Sequence, residues 1–100
     1  MPERETYVPR PIDTKGVSLP HPLERLVEVL AESNHDNWSA QRMRDGWTWG
    51  EKRNDDVKQH PGLVAYHQLT ETEKEYDRIT VRETLKGILA SGYEIVPPSS

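Results

Sequence analysis

The chain has 100 residues, with 13 Lys and Arg against 17 Asp and Glu, a net charge of −4. That length holds one small domain, and the mildly acidic balance argues against phosphate-driven binding of DNA or RNA. Cys is absent, which removes disulfides, thiolate chemistry and Cys-based zinc sites. Phe is absent too, so three Trp and four Tyr supply all the aromatic bulk. Hydrophobic residues are 33% of the chain, and no run of them is longer than Leu63-Val64-Ala65-Tyr66. No membrane span or secretory leader is expected from this pattern, and a cytoplasmic location is the default.

Residues 1–6 are polar and read as a flexible tail. Pro9 and Pro11 then force an extended path on Tyr7-Val8-Pro9-Arg10-Pro11-Ile12-Asp13. Tyr7, Val8 and Ile12 are candidates to lie on a core built by later segments. Pro20 and Pro22 stand where a helix can begin, because the first turn has no use for their missing N–H groups. Leu23, Leu26, Val27 and Leu30 recur at helical spacing, and Gly46 is a stop signal. The pattern predicts one helix over about 22–45, bent near Ser33-Asn34.

In Gly46-Trp47-Thr48-Trp49-Gly50 the period changes to two, which predicts a short strand. Residues 51–59 are charged and without period, His60-Pro61-Gly62 is a turn, and Leu63-Val64-Ala65-Tyr66 reads as a buried extended piece. Thr70-Glu71-Thr72-Glu73 is a capping box and predicts a short helix over about 71–77. Thr80-Val81-Arg82-Glu83 repeats the box and starts a further helix, with Leu85, Ile88 and Leu89 as its stripe and Gly92 as its end. Tyr93-Glu94-Ile95-Val96 alternates and reads as a last strand, and residues 97–100 are a tail. The sum is a small, mostly helical α+β domain over 7–96: one long helix, a second helical segment near the C-terminus, and short β-strands. Trp47, Leu26, Leu30, Leu85, Leu89 and Ile95 are the expected core.

The usual catalytic patterns are weak. His21, His35, His60 and His67 lack metal-ligand spacing. Ser39, His35 and Asp36 have no nucleophile elbow around them. No phosphate-cradling glycine loop is present. The chain is expected to have no catalytic activity, no metal and no cofactor. The helix around Trp38 says more. With Leu23, Leu26, Val27 and Leu30 as the buried stripe, Trp38 lies about 70° from its centre. Asn34 is one turn before it and Arg42 one turn after. An indole face stacks on planar rings, and a guanidinium forks to phosphate or carboxylate. The bland alternative is that Trp38 closes the core and Arg42 pairs with an acid.

Leu30-Ala31-Glu32-Ser33-Asn34-His35-Asp36-Asn37-Trp38, Gly46-Trp47-Thr48-Trp49-Gly50, Arg53-Asn54-Asp55, Lys58, His60-Pro61, Leu63-Val64 and Tyr66 together resemble the RyR domain. This is the repeat found in pairs in ryanodine receptors and singly in bacterial and phage proteins. Glu73-Lys74, Tyr76-Asp77, Thr84-Leu85 and Gly92-Tyr93 extend the likeness, as does the opening arm from Tyr7. Ser33, Asn54, Trp49 and Ala65 depart from the family's usual Asn, Asp, Tyr and Pro. The resemblance implies a non-enzymatic binding or sensing module for an adenine-type or NAD-derived nucleotide. Trp38 would stack the base, with Arg42 and Arg53 on phosphates and Asn34 beside them. Because receptor repeats come in pairs, a homodimer presenting two copies of Trp38 is expected for a single-copy chain. The rival expectation is a protein-interaction or structural module without a small ligand. Trp47, as core, is expected to matter more for stability than Trp38.

Overall fold

The computed structural model describes residues 6–98. Of the expected tails, 1–6 and 97–100, residues 1–5 and 99–100 lie outside the described residues. In chain order the elements are α1 (His21–Glu24), α2 (Val27–Arg44), β1 (Thr48–Trp49), β2 (Gln59–His60), a 3-10 turn (Tyr66–Gln68) and α3 (Glu71–Ala90). The strands pair in parallel, Thr48 with Gln59 and Trp49 with His60. The fold is a small α+β arrangement in which α2 and α3 pack together.

The first helix breaks earlier than its periodicity suggests. Pro20 caps the single turn α1, and Leu26 N–H then bonds Leu23 carbonyl at 3.0 Å, an i to i−3 contact that tightens the chain before α2. No bend at Ser33-Asn34 is needed, because the break at Arg25-Leu26 has already set the direction of α2. It also resets the buried face. Leu23, Val27, Ala31 and His35 are buried, each four residues after the last. Leu26 and Leu30, expected in the core, are 45% and 37% exposed.

Across from this row stand Tyr66 of the 3-10 turn, Leu69 and Val81, with Leu19, Val64 and Leu85 partly buried against them. The side of the core facing that row is thus supplied mainly by the 63–69 segment that joins strand to helix, and Trp47, Leu89 and Ile95 are only half-buried at its margin. Trp47 stays at the margin because α2 ends in a tight turn that carries it back over the helix terminus.

α3 is continuous where two helices were expected. The box at Thr70 is real: Thr70 Oγ1 accepts from Glu73 N–H at 3.2 Å, and Glu73 Oε1 accepts from Thr70 N–H at 3.1 Å. The second box is not a cap. Thr80 Oγ1 donates to the Tyr76 carbonyl at 3.0 Å, one turn back within the same helix, so the hydroxyl is absorbed by helix interior. α3 stops as Gly92 predicts. Gly92 has φ +94°, its N–H bonds Leu89 carbonyl, and Tyr93 N–H bonds Ile88 carbonyl, a Schellman ending.

No strand forms over residues 93–96, because no neighbouring strand offers a ladder there; Tyr93 and Val96 are exposed. The arm before α1 forms neither helix nor strand, and Tyr7, Val8 and Ile12 are all exposed and miss the core. The arm is held at α3 instead. Thr14 Oγ1 donates to Glu83 Oε1 at 2.7 Å, and Ile12 approaches Gly87, where an added Cβ would stand 3.5 Å from Ile12 Cδ1.

Charged side chains join the two long helices. Arg78 of α3 grips Glu28 of α2 through two nitrogens, at 2.6 and 3.2 Å, and also reaches Glu71 and Glu75 at 3.3 Å. Arg82 bonds Glu24 of α1 at 2.9 Å. The Arg78 guanidinium holds the Glu28 carboxyl below its ordinary range. Tyr66 lies beside this pair, its hydroxyl buried without a hydrogen bond to it. Burial first, and the neighbouring Glu28 carboxylate second, push the Tyr66 phenol up to about 12.

Candidate functional site

The reset of the buried row changes where Trp38 lies. At about 100° per residue, Trp38 and Arg42 each fall within about 20° of Ala31, in line with the core row rather than on its flank. One face of α2 therefore runs from aliphatic, through buried His35, to an aromatic and cationic end. Asn34 is the flank residue. Its Nδ2 donates to Asp77 Oδ1 of α3 at 3.1 Å, so it ties the helices together instead of standing beside Arg42.

His35 marks the end of the core. Its Nε2 is 2.7 Å from the Val64 carbonyl, which fixes the proton on Nε2. The Ser39 hydroxyl is at the 3.5 Å limit from the same nitrogen. His35 stacks on Trp38 with ring centroids 5.7 Å apart and an interplanar angle of 28°.

Beyond Trp38 the chain turns back. Gly46 takes φ +93°, a backbone state that suits glycine, and Trp47 N–H bonds the Arg42 carbonyl at 2.9 Å. This returns the Trp47 indole to Arg42. The guanidinium carbon is 4.9 Å from the Trp47 ring centroid and 5.6 Å from that of Trp38. Both distances suit cation–π contact. Among the described residues Arg42 forms no ion pair.

The strand pair fixes His60 beside both Trp38 and Trp47. Gly50 permits it: a Cβ there would lie 2.5 Å from Gln59 Cβ. The His60 ring meets Trp38 edge-on at 5.0 Å and Trp47 at 6.4 Å. Its Nδ1 accepts from Gly62 N–H at 2.8 Å. Burial lowers the His60 pKa below its ordinary value, and the positive charges of Arg53 and Arg42 lower it further. That cluster leaves the imidazole neutral at neutral pH.

The charged loop is held by its own polar contacts. Asn54 exchanges backbone bonds with Gln59 at 2.9 Å, and its Oδ1 accepts from Asp56 N–H at 3.0 Å. Lys58, with φ 55°, places Nζ 2.8 Å from the Asp45 carbonyl at the end of α2. Arg53 bonds Asp55 at 2.8 Å on the surface. Its charge is felt at His60, but it makes no ring contact with Trp38 among the described residues.

Of the residues singled out in the sequence, the structure thus joins Trp38 and Arg42, sets Arg53 on the adjoining loop and turns Asn34 toward α3. Sequence reasoning passed over His60, His35 and the role of Trp47. Only their proximity in space reveals them; the one hint is the His60-Pro61-Gly62 turn following an aromatic strand.

A separate apolar groove of about 710 Å³ runs between the arm and α3, lined among others by Pro11, Ile12, Thr84, Gly87, Ile88 and Tyr93. The hydroxyls at this groove are used internally: Thr84 bonds Thr80 carbonyl at 2.8 Å and Ser91 bonds Gly87 carbonyl at 2.7 Å. No helix among the described residues is long and apolar enough to cross a membrane.

The family model of the RyR domain matches residues 7–97, nearly the whole chain, and the chain belongs to that family.

Proposed function

We propose that the chain is a non-enzymatic module that binds a planar anionic ligand of the adenine-nucleotide or NAD-derived kind. The observation that carries this reading is Arg42, a cation set against two indoles with no carboxylate partner among the described residues, in a chain of net charge −4. A guanidinium so placed offers its N–H fork to a phosphate while the rings offer apolar faces to a base. Trp38 stacks the base, Arg42 takes a phosphate, and Arg53 on the adjoining loop takes a second by exchanging Asp55 for it. Two copies of the chain, each bringing one Trp38, enclose the ligand. A thermal-shift screen of mono-, di- and dinucleotides tests this, since a ligand bound only by the folded state raises the melting temperature. A rise that Trp38→Ala removes supports the reading, and no rise with any nucleotide refutes it. Light scattering with and without the effective nucleotide tests the dimer.

The groove at the arm favours a second reading, a protein-interaction module. Its apolar residues Ile12, Ile88 and Tyr93 are exposed. Exposed apolar patches of this kind mark contact surfaces.

A further inference from the structure

The register of β1 with β2 settles which side chains share a face of the strand pair. Trp49 is in register with His60, and paired residues of parallel strands point to the same side. Thr48 and Gln59 point to the opposite side. Gly50 agrees with this division, since a Cβ there would stand 2.5 Å from Gln59 Cβ. The face that carries Trp49 is therefore the one that adjoins the aromatic cluster, because the His60 ring meets both Trp38 and Trp47.

Two groups on that face are left without a partner. The first is the Nε2–H of His60. Nδ1 accepts from Gly62 N–H, so the proton of the neutral imidazole is on Nε2. That donor has no acceptor among the described residues. The second is the Trp49 indole, 54% exposed. Trp38 carries contacts with His35, His60 and Arg42, and Trp47 with His60 and Arg42. Trp49 carries no contact with a ring or a cation among the described residues. Its ring faces are open to a base, and an N–H donor suits a phosphate oxygen. Besides Trp38 and Arg42, the cluster thus offers a second indole and a further donor. A mononucleotide has one base and uses one of these indoles; two bases joined by a diphosphate use both.

We propose that the ligand is a dinucleotide, with its second base stacked on Trp49 and its diphosphate bonded by the His60 Nε2–H as well as by Arg42. This rests on the nucleotide reading above and narrows it to ligands with a ring at each end.

The test is calorimetric titration of the whole chain with AMP, ADP-ribose and diadenosine diphosphate. The last two share adenosine, diphosphate and a second ribose, and differ in the second base. Diadenosine diphosphate is expected to bind at least about tenfold tighter than ADP-ribose. Trp49→Ala is expected to erase that advantage, and Trp49→Tyr, which keeps a stacking ring, to retain it. In NMR spectra of the native chain, which do not depend on how a variant folds, the Trp49 indole N–H is expected to shift with diadenosine diphosphate and far less with ADP-ribose. The His60 imidazole is expected to shift with both. Equal affinity for the two ligands, an advantage that survives Trp49→Ala, or a Trp49 indole or His60 imidazole that diadenosine diphosphate does not move overturns the proposal. Binding of AMP or ADP-ribose in those cases leaves the nucleotide reading standing. No binding of any of the three refutes that reading, and this proposal with it.

Discussion

The backbone N–H of Trp47 bonds the carbonyl of Arg42 at 2.9 Å, and the Arg42 guanidinium carbon lies 4.9 Å from the Trp47 ring centroid. Main chain and side chains of the same two residues therefore meet twice. The first contact is the Schellman bond that ends α2, and the second is the contact between side chains that such an ending brings together. The aromatic–cationic cluster is a product of how the helix stops. Gly46, at φ +93°, is the residue that lets it stop there.

One consequence concerns the tryptophans. Both are half-buried, but Trp38 touches His35, His60 and Arg42, and its ring lies 3.5 Å from where a Gly62 Cβ would stand. Trp47 touches His60 and Arg42 alone among these partners. The structure removes the reason to expect Trp47 to matter more. Trp38→Ala is expected to cost about 2–3 kcal/mol, less than a fully buried Trp, and Trp47→Ala no more than that. Urea denaturation of the two variants measures it, and a clearly larger loss at Trp47 contradicts the packing described.

Gly50 is buried against β2, and any side chain there meets the Cβ of Gln59 rather than a movable chain end. Gly50→Ala is expected to part the two strands and to cost about 1–3 kcal/mol. The variant's melting temperature checks the cost, and loss of the His60 ring-current shift from Trp38 checks the cause.

His60 titrates below its ordinary value of 6.5 in the folded chain. In the unfolded chain it takes up its proton first as pH falls. Its contribution to stability is therefore present above about 6.5 and is lost as pH falls through that value toward the folded pKa. The carboxyls of Glu28, Asp55 and Glu71 are also lowered, so the contributions of the two Glu fade only below 4.5 and that of Asp55 only below 3.8. NMR titration of His60 is expected to give a pKa below 6.5, rising toward it in Arg42→Ala. A His60 pKa at or above 6.5 contradicts the arrangement.

The Tyr66 hydroxyl is buried without a partner, beside the Glu28–Arg78 pair. Tyr66→Phe keeps the ring in the core and removes the unpaired group. It is expected to leave stability unchanged or to raise it by up to about 1 kcal/mol, where breaking a real hydrogen bond lowers stability by a similar amount. Chemical denaturation separates the two outcomes.

Much of this was legible in the chain. Gly46 and Gly92 announce the helix ends, and Thr70 and Glu73 announce the start of α3. Trp38 and Arg42 stand together because helical spacing brings them one turn apart. The rest depended on contacts far apart in sequence. The tight turn at Arg25-Leu26 shifted the buried row by one position, which exposed Leu26 and Leu30 and moved Trp38 onto the core-facing line. Thr80 carries the letters of a cap, and only the continuing helix shows its hydroxyl turned back to Tyr76. Alternation over residues 93–96 had no partner strand to meet. His60 entered the site through the register of β1 with β2, which no local pattern encodes.

In the proposed function Arg42, set against two indoles, is the anion-binding group for a planar ligand. Calorimetric titration of the nucleotide that best raises the melting temperature, into the native chain, Arg42→Ala and the control Arg25→Ala, tests it most directly. The account predicts binding by the native chain and by Arg25→Ala, and at least about tenfold weaker binding by Arg42→Ala. Equal affinity in all three, or no heat from any of them, contradicts it.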